Sequence, residues 1–355
     1  MSVQSDAAGV DPRARAQLAA DGGGSVTRLG FGSAPLGNLF REVSEEDADA
    51  AMDAAYAAGA RFFDTAPQYG LGIAEERIAR GLRRLGRDTI TLSTKVGRVL
   101  EECGPDEVTP ESFVSVPQRR IRFDYSRDGV MRSLEDSERR MGGIRPEVVF
   151  VHDVGADTQG SREASDARIA ELFDTGGYDA LRELRASGDV QAIGAGVNEW
   201  HCLEKLLERG EFDSFLLAGR YTLLEQTPLD TFFPLCERRG VGIVIGGPLN
   251  SGILAVGPDD PNATYDYDRA PPEIVERVRG LGRVCASHGV PFIAAALQFP
   301  LAHPVVRSVI PGGVNAAEVE ENAAMLRHPI PDALWADLKS EKLLRADAPV
   351  PGEPA

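Results

Sequence analysis

The chain has 355 residues, 43% hydrophobic and 26% charged, enough apolar material for a large core in one or two domains. Its 55 acidic residues against 38 basic ones leave a net charge of −17, a surface that repels phosphate backbones, so nucleic acid and anionic membranes are poor partners. No stretch approaches the ~18 uninterrupted apolar residues of a membrane span. Residues 1–24, rich in Ala, Gly, Asp and Arg, lack the apolar segment of a signal peptide. Cys103, Cys202, Cys236 and Cys285 form no Cys-x-x-Cys pair, and the histidines form no His-Glu-x-x-His. This predicts reduced thiols in a cytoplasmic protein, with no metal-ligand spacing.

In chain order, residues 1–24 are expected to be a flexible segment, 25–345 a single barrel domain, and 346–355, Pro-rich with little to bury, a flexible tail. Short apolar runs begin near Arg28, Arg61, Thr89, Glu147, Val190, Ser214, Val241 and Val305. They predict strands buried on both faces of a parallel sheet. Between them, Ser44 caps a helix that Gly59 ends. Further helices are predicted over about 74–85, 126–141, 178–187, 200–208, 228–239, 272–288 and 316–325, with a last one over 332–343. This alternation predicts an α/β fold, a (β/α)8 TIM barrel. A doubly wound sheet would want a Gly-x-Gly-x-x-Gly turn. The stretches from Gly30 and from Gly194 both fail at the third glycine. Three long connections, 97–124, 153–177 and 246–271, each follow a strand, so they share one rim as lids or binding loops.

Chemistry-bearing residues stand at the strand ends. Asp64 ends the second strand, with Tyr69 on the loop beyond it; Lys95 ends the third, His152 the fourth, and Asn198 follows the fifth. Singly, each has a plain explanation. Asp64 could cap a helix, Tyr69 pack a loop, Lys95 snorkel, and His152 sit satisfied in a core. Together at one barrel mouth they make a proton-transfer set. Tyr69 would move the proton, Lys95 would lower its pKa, Asp64 would hold Lys95 charged, and His152 would bond the reacting oxygen. His201, His288, His303 and His328 lie in predicted helices or loops and read as structural.

From about 27 to 322, these residues resemble the aldo-keto reductase superfamily. That resemblance implies a barrel of this type with Asp64, Tyr69, Lys95 and His152 as catalytic residues. It also implies a nicotinamide dinucleotide extended across the rim. Stretches 63–70, 92–98, 123–126 and 217–224 resemble bacterial aldose 1-dehydrogenases (L-fucose or D-threo-aldose) and pyridoxal 4-dehydrogenase. The implied cofactor contacts are Gly32 and Ser33 near the nicotinamide ribose and Asn198 at the amide. Gly247, Leu249 and Ser251 would cover the pyrophosphate, and Glu321 and Asn322 would read the adenine. The loop carrying Gly312, Gly313 and Glu318 lacks the cations with which NADP-using members hold the 2′-phosphate, so NAD is expected rather than NADP. Ala218 and Gly246 replace a common glutamine and a common stacking aromatic. The implied partner is a small sugar or pyridoxal-like molecule, oxidised by hydride transfer; a sugar hemiacetal would give its lactone. An NADPH-dependent carbonyl reductase and a non-catalytic cofactor-binding subunit are the alternatives. The intact tetrad weighs against the subunit, and the missing cations against the reductase.

Overall fold

Eight parallel strands lie in one sheet in chain order: Phe31–Gly32, Phe62–Asp64, Thr91–Val96, Val148–His152, Ala192–Val197, Ser214–Ala218, Gly242–Gly246 and Val306–Ile310. The computed structural model describes residues 6, 7, 9–20, 22–87, 89–261 and 263–353. A parallel bridge between Leu29 and Val309 joins the first strand region to the last, and Gly30 N–H donates to the Val309 carbonyl at 2.9 Å. The sheet is thereby closed as a (β/α)8 barrel, with each predicted apolar run supplying one strand. Inward-facing Phe62, Val148, Phe150, Leu216, Val244 and Ile310 fill it. Pairing sets the heights of the functional side chains. Asp64 lies opposite Gly32 and Ser93, Lys95 opposite Phe150, and His152 opposite Gly196. A Cβ at Gly196 would sit 3.2 Å from Lys95 Cε, so this glycine leaves room for the lysine inside the barrel.

The helices follow their end signals. Ser44 Oγ accepts from Asp47 N–H, and Gly59 ends the helix Glu45–Ala58 at φ 111°. Four helices went unpredicted, two of them single turns, Ala156–Gln159 and Ile253–Val256. Arg162–Asp174 buries only Ser165, Ile169 and Leu172, so its mostly polar sequence carries little period. Phe292–Gln298 is apolar on nearly every side and lies between prolines, too short for its period to be read. The stretch 228–239 opens with a 3₁₀ turn, Thr227–Leu229, before the helix Phe232–Arg239.

The expectation of loose ends is corrected where the chain is described. Arg15–Ala19 and Gly22–Thr27 form an antiparallel hairpin. Its Leu18 and Val26 are fully buried, and Ala19 bridges to Val241 at the start of the seventh strand. The hairpin covers the amino-end opening of the barrel, whose apolar interior would otherwise meet water. At the other end, Ala348 and Val350 are buried and Lys339 Nζ holds Glu353 Oε1 at 2.9 Å. Residues 1–5, 8, 21, 354 and 355, part of the same expectation, lie outside the described residues. Among the described residues no single helix is long and apolar enough to cross a membrane, and no group of His, Cys, Asp or Glu is arranged to hold a metal ion. The cysteines are free.

Of the three long connections, 97–124 carries a hairpin, Arg98–Glu102 with Arg119–Phe123. The connection 246–271 carries the short helix Ile253–Val256 and a small hairpin, Thr264–Tyr265 with Asp268–Arg269. The third, 153–177, contains the unpredicted helices Ala156–Gln159 and Arg162–Asp174.

Candidate active site

At the carboxyl mouth, Asp64 is held from two sides. Its Oδ1 accepts from Ser93 Oγ at 2.7 Å and its Oδ2 from Lys95 Nζ at 2.6 Å. Lys95 Nζ also donates to the Thr65 carbonyl at 3.0 Å. Burial raises the Asp64 carboxyl above its usual range, against the pull of Lys95 and Ser93. Lys95 Nζ lies 4.6 Å from the centroid of the Tyr69 ring. His152 meets the same ring edge-on, with centroids 6.0 Å apart. Asp64, Lys95 and His152 at their strand ends and Tyr69 on its loop therefore converge.

Their electrostatics differ from expectation at one point. Burial, with Asp64, Tyr267 and Asp153 beyond it, pushes the Tyr69 phenol well above its ordinary value; Arg98 pulls the other way. The Lys95 charge is met by Asp64 at 2.6 Å, and the phenol stands raised where the sequence led us to expect it lowered. His152 is driven well below its ordinary value by burial and by Arg98 and Lys95, so it is neutral. Its Nε2 lies 3.2 Å from Asp153 Oδ2, and its buried Nδ1 has no hydrogen-bond partner among the described residues.

Around these four opens a cavity of about 760 Å³. Gly32, Asp64, Tyr69, Lys95, His152, Asn198, Gly247, Leu249, Ser251, Gly312, Gly313 and Glu318 all line it. Three assigned residues do not. Ser33 is fully buried with an unpaired Oγ. Asn322 is buried and supports the wall from behind, Nδ2 donating to the Gly312 carbonyl at 3.3 Å. Glu321 is exposed and outside the lining.

The wall fits a dinucleotide in two respects. Gly247, Asn250, Ser251 and Gly252 have φ of 53°, 45°, 58° and 110°, and such left-handed turns gather backbone N–H groups into anion-holding concavities. Asn250, also in the wall, has a buried Oδ1 without a partner. At Glu318 the structure adds a cation the sequence had not offered: Arg41 Nη2 pairs with Glu318 Oε1 at 3.1 Å. Glu318 Oε2 accepts from Val314 N–H at 3.1 Å.

Sequence reasoning missed several lining residues. Tyr267 brings its hydroxyl to 3.4 Å from Asn198 Nδ2, and its ring lies 6.5 Å from that of Phe40. It is an aromatic over the cavity that contains Gly246 and Ala218, but it sits mid-loop where no strand end advertises it. Arg98 and Asp153 were signalled only by adjacency, two positions after Lys95's neighbour Val96 and directly after His152. Glu111, Phe113 and Phe40 come from loops whose course the sequence did not reveal.

The family model for aldo/keto reductases matches residues 28–341. The chain belongs to the aldo/keto reductase family. This aldo/keto reductase is 40% identical over 329 residues to a pyridoxal 4-dehydrogenase from Microbacterium luteolum, covering 90% of this chain and 95% of that one. It is 36% identical over 330 residues to a D-threo-aldose 1-dehydrogenase from a Pseudomonas species, covering 92% and 97%. Among solved structures, the holo form of an aldo-keto reductase from Bacillus halodurans superposes with a TM-score of 0.72 at 24% identity, over 94% of this chain and 97% of that one. That last likeness bears on the fold alone. Family membership makes the chain an oxidoreductase with a nicotinamide cofactor.

Proposed function

We propose that this aldo/keto reductase oxidises a cyclic hemiacetal, a sugar of the L-fucose or D-threo-aldose type at C1, to its lactone, using NAD. The observation that carries the reading is the buried Asp64–Lys95 pair beneath Tyr69, with neutral His152 at the ring edge. A bound dinucleotide would supply the hydride acceptor. Gly32, Asn198, the 247–252 turn and the 312–318 loop would hold it. Tyr69 exchanges the proton of the substrate oxygen. Because burial keeps its phenol protonated, Tyr69 must release its own proton before taking the substrate's. Oxidation is therefore favoured as pH rises. His152 orients the oxygen without charging it. Lys95, held by Asp64, sets the field under the ring.

A second reading is supported by the 40% identical relative: pyridoxal, which also closes to an internal hemiacetal. The preference for NAD over NADP rests on Glu318 in the cavity wall and on the missing side chain at Gly312. The test is a screen of L-fucose, D-arabinose, L-galactose and pyridoxal, each with NAD and NADP, followed by absorbance of the reduced cofactor. NAD-dependent turnover of one of them is expected. Turnover of simple aldehydes with NADPH and of none of these four would overturn the reading.

A further inference from the structure

The cavity wall holds a second polar cluster that hydride transfer does not use. Arg98 is 3% exposed. Its Nη2 binds Asp153 Oδ2 at 2.6 Å and its Nη1 binds Glu111 Oε1 at 2.8 Å, while the other oxygen of Glu111 takes Gln68 Nε2. A buried arginine with both prongs committed is an anchor. What it anchors is unusual in backbone as well. Asp153 and Glu111 have φ of 52° and 51°, a region that side-chain-bearing residues seldom occupy and that clusters at ligand clamps.

Asp153 Oδ2 also lies 3.2 Å from His152 Nε2. The carboxylate is thus the immediate neighbour of the histidine that would orient the reacting oxygen. A substrate seated against His152 brings the substituent of its next carbon to Asp153. The carboxyl is pushed up to about 6, first by burial and then by Asp157 and Glu111, despite Arg98 and Lys95. Its contacts with Arg98 Nη2 and His152 Nε2 are both made by Oδ2, and a hydroxyl would add a further donor to the carboxylate.

We propose that Asp153, anchored by Arg98 and backed by Glu111, is a substrate subsite that accepts a hydrogen bond from a hydroxyl on the carbon next to the reacting one. The class selected is the vicinal hydroxy-hemiacetal, as in an aldose with a free 2-hydroxyl. The choice of reacting carbon rests on the function proposed above; the binding preference is measurable without it.

The experiment compares L-fucose with 2-deoxy-L-fucose on NAD-loaded protein, by equilibrium binding and by kcat/KM, in the wild type, Asp153→Asn and Glu111→Gln. Asn keeps the shape and tolerates the left-handed backbone, so the fold is preserved. The wild type should prefer the 2-hydroxy sugar by at least about thirtyfold, since a site built for a hydroxyl rejects the analogue that lacks it. Asp153→Asn should bring the preference to within about threefold, with Glu111→Gln between. A preference that survives Asp153→Asn, or a wild type that shows none or binds neither sugar, overturns the subsite. An Asp153-dependent binding preference without reduction of NAD keeps the subsite and overturns the dehydrogenase reading instead. Should Asp153→Asn fail to fold, Arg98→Lys replaces it, because lysine keeps the charge and loses the two-pronged hold. An unchanged preference in that variant overturns the proposal equally.

Discussion

Replacing Lys95 by Met takes the ammonium out of an ion pair whose side chains are 1% and 2% exposed and whose atoms are 2.6 Å apart. Asp64 then keeps only Ser93 Oγ, at 2.7 Å, as a side-chain donor. Breaking a buried pair from one side costs roughly 3–5 kcal/mol, because the remaining charge is left uncompensated. Asp64 has an escape. Its carboxyl already lies above the usual range through burial, and losing Lys95 removes the largest opposing influence. A carboxyl whose folded pKa exceeds its unfolded one favours folding below the unfolded value, and that contribution is lost as pH rises through the folded value. The deficit of Lys95→Met should therefore be smaller at pH 5 than at pH 8. Combining it with Asp64→Asn leaves no buried charge, so the double variant should be more stable than the sum of the single losses by about 2 kcal/mol. Urea unfolding followed by circular dichroism, at both pH values, measures all three. A deficit of Lys95→Met under about 1 kcal/mol at pH 8, or one that does not shrink at pH 5, would refute the view that this pair holds a charged Asp64 in the barrel.

Tyr69→Phe should bind NAD within a few-fold of wild type and lose roughly 10²–10⁴ in turnover, the range for a general acid–base group; near-normal turnover would assign the proton to another residue. In the wild type, kcat/KM for oxidation should climb toward alkaline pH, because burial holds the Tyr69 phenol well above its ordinary value. His303, buried against the rings of Tyr221 and Phe233, is lowered from 6.5 to about 4 by desolvation. Its stabilising contribution is present above the unfolded pKa and lost as pH falls through the folded one, up to about 3 kcal/mol at ~1.4 kcal/mol per unit; His303→Leu should flatten the stability profile between pH 4 and 6.5 in urea titrations. Glu318→Gln removes a carboxylate from the cavity wall and frees Arg41, so the ratio of kcat/KM for NADP to that for NAD should rise about threefold to tenfold, more at low salt than at high salt.

The barrel was legible because parallel strands buried on both faces read as apolar runs, and eight such runs alternate with capped helices. The convergence of Asp64, Tyr69, Lys95 and His152 was legible because each of them but Tyr69 terminates one of those runs. What the sequence hid follows from the same physics. Leu18 and Val26 alternate toward the core as strand residues do, but Gly22, Gly23 and Gly24 separate them and suggest a loose segment. Tyr267, Glu111 and Phe113 stand on connections, where position depends on tertiary contacts and not on period. The same limit applied to Gly312, read only as a missing lysine. A Cβ there would meet the Pro35 ring at 2.5 Å, so any side chain forces the loop to shift. Glycine at this position is therefore a packing requirement, independent of the cofactor preference proposed above.

The residues proposed for proton transfer and those proposed for recognition stand on different parts of the chain. Asp64, Lys95 and His152 stand on strands whose neighbours fix them by register. The wall opposite is made by two connections bonded to each other: Phe40 N–H donates to the Ser112 carbonyl at 2.9 Å and Val114 N–H to the Asn38 carbonyl at 3.0 Å. Phe40, Glu111 and Phe113 therefore belong to one bonded wall, and Arg98 ties that wall through Glu111 to Asp153 just after the fourth strand. Changing Phe40 or Phe113 alters the pocket without touching the register that holds the ion pair. Changing Arg98 reaches further, because it uncouples the wall from the carboxylate beside His152. On the function and subsite proposed above, substrate choice would be separable from proton transfer except at Arg98 and Asp153, where the wall meets the carboxylate beside His152.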